Sequence, residues 1–154
     1  METTMPNWCA NTLTVTHGDP ATIKRFVQAV ENASLCETFA PIGEWDYGTA
    51  VDTWGTKWDI SNVEVIDIVG DTACVTFETA WSPPIGVYDA LVQQGFGVNA
   101  EYFEPGVAFV GTYIDGVDTT YEITEDYAED IPADLVETWG IAEMMDEWED
   151  DDED

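Results

Sequence analysis

Val63-Glu64-Val65-Ile66-Asp67-Ile68-Val69-Gly70-Asp71-Thr72-Ala73-Cys74-Val75-Thr76-Phe77 decides the fold. Val63 and Val65 alternate with polar neighbours before an apolar end at Ile66-Asp67-Ile68-Val69. Ala73, Val75 and Phe77 then share one face of a second strand. Gly70-Asp71 between them is a turn signal, so the stretch predicts a β-hairpin. Upstream, Asn11 to Thr16 alternates, with Leu13 and Val15 on one side and Thr12, Thr14 and Thr16 on the other, a half-buried strand. His17-Gly18 turns the chain. Asp19 reads as an N-cap with Pro20 in the first helical position, and Ile23, Phe26, Val27 and Val30 follow at helical spacing, predicting a helix over 20–32. Residues 33–60 read as irregular and aromatic-rich, interrupted by Pro41, Gly43, Gly48 and Gly55. A loop of that length inside a domain is functional or packed on itself.

Downstream of the hairpin, Ser82-Pro83-Pro84 opens a second helix. Ser82 is its expected cap, Ile85, Tyr88, Leu91 and Val92 its buried stripe, and Gly95 and Gly97 its stop. Val98–Phe103 reads as a strand, Glu104-Pro105-Gly106 as a turn, Val107–Ile114 as a strand, and Thr119–Ile123 as a short last strand after the Asp115-Gly116 turn. An acidic connector leads to Pro132 and one further helix, with Leu135, Trp139, Ala142 and Met145 on a stripe beside Ile141, Met144 and Trp148 and weakened by Gly140. Glu149–Asp154 is six acids in a row, the signature of a disordered tail. The element order predicts an α+β fold. It is the ferredoxin-like split β-α-β-β-α-β sandwich, an antiparallel sheet with two helices on one face, extended by a C-terminal strand and an acidic helix. The predicted division is a domain over 1–124 and an acidic helical extension with its tail over 125–154.

Hydrophobic residues form 45% of the 154, seven of them Trp, which is enough for a core and excludes wholesale disorder. The charge balance is unusual: 33 Asp and Glu against 3 Lys and Arg, a formal net charge of −30. Direct binding to a nucleic-acid backbone or an anionic membrane needs cationic side chains and is excluded as an expectation. Residues 115–154 carry 18 of the acids and no Lys or Arg, and all three basic residues (Lys24, Arg25, Lys57) lie before them. Mutual repulsion disfavours folding such a segment, so the arrangement points to a role outside the fold. Adaptation to high salt predicts evenly spread acids and an ordinary Arg count, unlike this segregation. Cys9, Cys36 and Cys74 are odd in number and widely spaced, which argues against a disulfide framework or a Cys-rich zinc site. No basic and apolar leader opens the sequence and no apolar run reaches about 18 residues. A cytoplasmic protein, with no membrane partner, is the expectation.

Four segments carry a resemblance. Pro6-Asn7-Trp8-Cys9-Ala10-Asn11-Thr12-Leu13-Thr14-Val15, Trp54-Gly55-Thr56-Lys57-Trp58-Asp59, Thr79-Ala80-Trp81-Ser82-Pro83-Pro84 and Tyr102-Phe103-Glu104-Pro105-Gly106 occur in that order. Over residues 6–111 the chain resembles the YubB-like ferredoxin-like domain family of phages and plasmids. The resemblance implies a mobile-element origin and the split βαβ fold, and it leaves the acidic residues 115–154 uncovered.

Trp54, Lys57, Trp58 and Trp81 form the candidate small site, in which aromatic rings and one of the rare cations clamp a flat or anionic ligand. The alternative is that Trp8, Trp54, Trp58 and Trp81 seal one end of the sandwich and Lys57 pairs with a carboxylate. His17, the single histidine, reads as a solvated turn residue. No Gly-rich phosphate loop, EF-hand loop or nucleophile-base arrangement is present, so the sequence predicts a non-enzyme without a metal or cofactor.

The acidic segment remains. Duplex DNA carries one negative charge per ~1.7 Å of axis, and a helix sets residues three and four apart about 5–6 Å from one another. Asp134, Glu137, Glu143, Asp146, Glu147 and Asp150 on the last helix would hold charges at comparable spacing, approached through Asp115, Asp118, Glu122, Glu125, Asp126, Glu129 and Asp130. Leu135, Trp139, Met144, Met145 and Trp148 would anchor the array or meet a partner. The expected partner is a positively charged nucleic-acid-binding host protein, a CRISPR effector or restriction enzyme, whose groove the protein blocks as a DNA mimic. The alternative is a small interaction module using the Trp-rich face, with the acids serving solubility.

Overall fold

The computed structural model describes residues 7–152, with side chains through residue 147. In chain order the elements are β1 (Trp8–Thr16), α1 (Pro20–Glu31), α2 (Leu35–Phe39), α3 (Tyr47–Trp54), β2 (Ser61–Val69), β3 (Thr72–Ala80), α4 (Ile85–Gln93), β4 (Gly97–Glu104), β5 (Phe109–Ile114), β6 (Val117–Glu122), α5 (Tyr127–Asp130), α6 (Ala133–Thr138) and α7 (Ile141–Asp152). The strands form one antiparallel sheet in the order β2-β3-β1-β4-β5-β6.

Alternation along the strands gives the sheet two faces. Leu13 and Val15 of β1, Ala73, Val75 and Phe77 of β3, and Val98 and Ala100 of β4 point to the first face. There they share a core with Ile23, Phe26, Val27 and Val30 of α1 and with Val87, Tyr88 and Leu91 of α4. α1 begins as its sequence dictates, with Asp19 accepting from the Ala21 amide at 3.1 Å and Pro20 in its first turn. The edge strand β2 pairs with β3 irregularly, with register shifts between Ser61 and Glu64 and between Val65 and Asp67.

The second face carries a smaller core. Phe103, Val110 and Tyr121 stand side by side across β4, β5 and β6. With Ile123 they pack against Ile131, Leu135 and Ile141 of the C-terminal segment, and Trp139 stacks on Phe103 with ring centroids 5.5 Å apart.

Several expectations are corrected. Residues 33–60 contain α2 and α3 rather than a loop: Asp46 caps α3 by accepting from the Thr49 amide at 3.0 Å, and Gly55 ends it at φ +88. α4 starts at Ile85 with Pro84 at the cap, and Ser82 instead donates to the Gly55 carbonyl at 2.6 Å. The single acidic helix is two, because Gly140 at φ +62 turns the backbone into the left-handed region between α6 and α7. α7 continues through Asp152, so four of the six acids assigned to a tail are helical; residues 153–154 lie outside the described residues. His17 keeps its place in the turn between β1 and α1 but is partly covered: its ring meets Phe96 edge-on at 5.0 Å and its Nδ1 accepts from the Asp19 amide at 3.0 Å.

Candidate functional site

The motif residues on β1, β3 and β4 and in the loop before β2 make buried polar contacts. Asn11, 2% exposed, donates to the Cys9 carbonyl at 3.1 Å and to Thr79 Oγ1 at 3.0 Å, and accepts from Tyr88 Oη at 2.8 Å. Thr79 donates to the Ser82 carbonyl at 2.7 Å, and Thr56 donates to the Ala80 carbonyl at 2.8 Å. Asp59 accepts from the Cys36 and Glu37 amides at 2.9 and 3.0 Å, holding the start of α2. Glu104, 1% exposed, accepts from the Gly106 amide at 2.5 Å and the Val107 amide at 2.7 Å, closing the turn after β4. Burial, and then the Glu104 charge, push the neighbouring Cys9 thiol up to about 12. These groups satisfy one another, which makes the four segments a folding framework.

The aromatic candidates separate into two roles. Trp54 is buried and donates from Nε1 to the Ala40 carbonyl at 2.7 Å, a core residue. Trp58 lies 6.3 Å from Trp8, with the Lys57 ammonium 4.6 Å above the Trp58 ring and 5.8 Å from Tyr47. Lys57 is thus held by rings, where pairing with a carboxylate was the alternative expectation. Trp81 is 46% exposed and sits at φ +72, a strained setting for a bulky residue. Trp45 and Tyr47 are also exposed, and Trp45 donates to the Lys57 carbonyl at 3.0 Å.

The acidic candidates do not make one array. Asp115, in the β5–β6 turn, ties that turn to β4 by accepting from the Val98 amide at 2.7 Å. Asp118 and Glu122 share the first face of β6, opposite Tyr113 and Phe109, and Asp118 accepts from Tyr102 Oη. Glu125, Asp126, Glu129, Asp130, Asp134, Glu137, Glu143, Asp146 and Glu147 are all exposed on the connector and the α5–α7 unit. Ile131, Leu135 and Ile141 anchor that unit to the second face. Trp139 belongs with this anchor, while the side chains of Trp148 and Asp150 lie outside the described residues. Beneath the unit, Glu101 Oε1 and Trp139 Nε1 are buried side by side without the alignment of a hydrogen bond. Burial raises the Glu101 carboxyl above its usual range, the Asp134 charge adds to the rise, and the adjacent indole partly offsets it.

Sequence reasoning missed a groove on the first face, past the end of the helix layer. Its floor is Tyr102, whose ring crosses β5 at Gly111 to bond Asp118 and Thr120 on β6. A Cβ at Gly111 would collide with that ring and with the Thr119 carbonyl, so the glycine makes the crossing possible. Pro83 and Ile85 form one wall, and the cavity holds about 630 Å³. The signal in the sequence was Gly111 inside a strand, which marks a close approach. Among the described residues no group of three His, Cys, Asp or Glu is placed to hold a metal ion, and no helix is long and apolar enough to cross a membrane.

No family model matches the sequence, and no curated protein matches it. Among solved structures, the chain is similar to the crystal structure of protein api92 from Yersinia pseudotuberculosis, of the DUF1281 family, at 18% identity and a TM-score of 0.40. The match covers 51% of this chain and 30% of the other, so the chain spans about a third of that protein's length.

Proposed function

We propose that this protein is a non-enzymatic inhibitor that imitates nucleic acid and occupies the cationic groove of a host defence protein, a CRISPR effector or a restriction enzyme. The observation that carries the reading is the C-terminal unit. Residues 115–154 hold 18 acids and no Lys or Arg. Its described carboxylates from Glu125 to Glu147 face solvent, while Leu135 and Ile141 fix it to the sheet. A fixed field of one sign accelerates encounter with a basic cleft and excludes the true ligand sterically. The outward carboxylates from Glu125 to Glu147 are assigned to the partner, because Asp115 and Asp118 are engaged by the Val98 amide and the Tyr102 hydroxyl and Glu122 lies with Asp118 on the opposite face of the sheet. The order β2-β3-β1-β4 with α1 and α4 on one face supports the finer reading of a ferredoxin-like split layout. A YubB-like, phage- or plasmid-borne origin and action in the host cytoplasm belong to the same proposal.

The test replaces Asp134, Glu137, Glu143, Asp146 and Glu147 together by Asn or Gln. All five are exposed, so the melting profile should be retained. DNA cleavage by CRISPR effectors and restriction enzymes is then measured with each protein. Inhibition by the natural sequence that weakens with salt and falls by about tenfold or more in the variant supports the proposal. Inhibition unchanged by the five replacements, or no inhibition even in dilute buffer, overturns it.

A second reading draws on Trp81. An indole held in the left-handed region and 46% exposed, in a protein that also exposes Trp45 and Tyr47, favours a protein-binding aromatic surface. Under it, Trp81→Ala abolishes partner capture and the five carboxylate replacements do not.

A further inference from the structure

We propose that the groove between the start of α4 and β6 binds a linear aliphatic polyammonium cation. The cavity of about 630 Å³ is ample for such a chain. Its charged lining is anionic only: Asp118 and Glu122. Both lie in β6 on the face bearing Thr120, so at ~3.3 Å per residue their backbones stand about 13 Å apart. One guanidinium or one ammonium cannot meet both carboxylates across that span. Between the two ends β6 presents Thr120, and the facing lining is mostly apolar, with Phe109 in edge-to-face contact with Tyr102 at 6.0 Å and Pro83 and Ile85 opposite. Methylenes suit that lining, and an internal ammonium can meet the Thr120 hydroxyl or the half-buried Phe109 ring. Two carboxylates about four residues apart along a mostly apolar groove are the complement of a chain with an ammonium at each end.

The groove is built to keep this form. Tyr102 is 1% exposed, and its hydroxyl is held by Asp118 and Thr120, which fixes the floor. One Asp118 oxygen takes that bond, and Glu122 is exposed at the other end. The site stands on the first face, apart from the α5–α7 carboxylates, and does not depend on the inhibitor reading.

The net charge of −30 attracts any polycation, so the experiment separates a site from a diffuse atmosphere. Binding of spermidine, and of the terminal diamines of octane and propane, is followed by calorimetry at physiological salt. Three proteins are compared: the natural sequence, D118N/E122Q, and E143Q/D146N, which loses the same charge from the second face. Asn at position 118 still accepts from the Tyr102 hydroxyl, and Glu122→Gln alone serves if the pair melts early. The expected result is one site, with the octane diamine about fivefold or more tighter than the propane diamine at equal charge. Affinity should drop about five- to tenfold in D118N/E122Q and hold within about twofold in E143Q/D146N. Equal losses in the two variants, no preference for chain length, or no saturable binding overturns the proposal.

Discussion

Asn11 has no water to turn to, and each of its polar atoms is spoken for by another buried group. Its carboxamide serves the Cys9 carbonyl, the Thr79 hydroxyl and the Tyr88 hydroxyl at once. Truncating it to alanine leaves buried donors and acceptors unpaired, each costing about 1–3 kcal/mol. Asn11→Ala should therefore lower the unfolding free energy by about 2–4 kcal/mol, read from the urea midpoint at unchanged slope. The strand was legible here, since Leu13 and Val15 alternate with threonines. The bond to Thr79 was not, because it joins residues 68 apart in sequence and no local period reports such a pair. Gly111 shows the same limit: its position in a strand signals close approach, but only the fold reveals that Tyr102 is what approaches.

At the level of elements, local chemistry fixed what it could reach. Asp19-Pro20 and the apolar spacing behind it give α1 almost to the residue. α3 escaped notice because Gly48 and Gly55 look like breakers, although one sits inside the helix and the other ends it. The C-terminal stripe was correctly apolar and wrongly continuous, since Gly140 bends the chain to bring both Leu135 and Ile141 onto the sheet. That packing has a consequence for experiment. A cut after Ile131 would strip Leu135 and Ile141 from the second core, so loss of activity on truncation would not isolate the charges. Leu135 is 2% exposed, and Leu135→Ala should cost about 2–4 kcal/mol. Hydrogen exchange should quicken across residues 133–147 while β1 and β3 keep their protection; equal loosening of both regions would contradict the two-core arrangement.

For the molecule as a whole, the charge sets how stability follows pH. Glu101 has its carboxyl raised, so the folded protein holds that proton more tightly than the unfolded chain does. Below the unfolded value of about 4.3 the group costs nothing, and the cost grows as pH rises through the interval up to the folded value. Glu101→Gln should thus gain on the natural sequence as pH rises from about 4 towards 7, measured as the difference in urea midpoints. A constant difference across that range would remove Glu101 as the source. Asp46 acts in the opposite sense. The Thr49 amide holds its carboxyl below the usual range, so its contribution is present above the unfolded value and is lost as pH falls through the folded one.

The edge at β2 shows what the excess of carboxylates spares the protein. Ile66, Ile68 and Val69 are about half exposed or more along a strand with no neighbour on its outer side among the described residues. Such an edge can recruit another chain, and its two register slips and the exposed Glu64 and Asp67 make it a poor template. At neutral pH two molecules repel long before those isoleucines meet. Near the isoelectric point of about 4.1 that repulsion is gone. Clumping in mild acid would then begin along this seam.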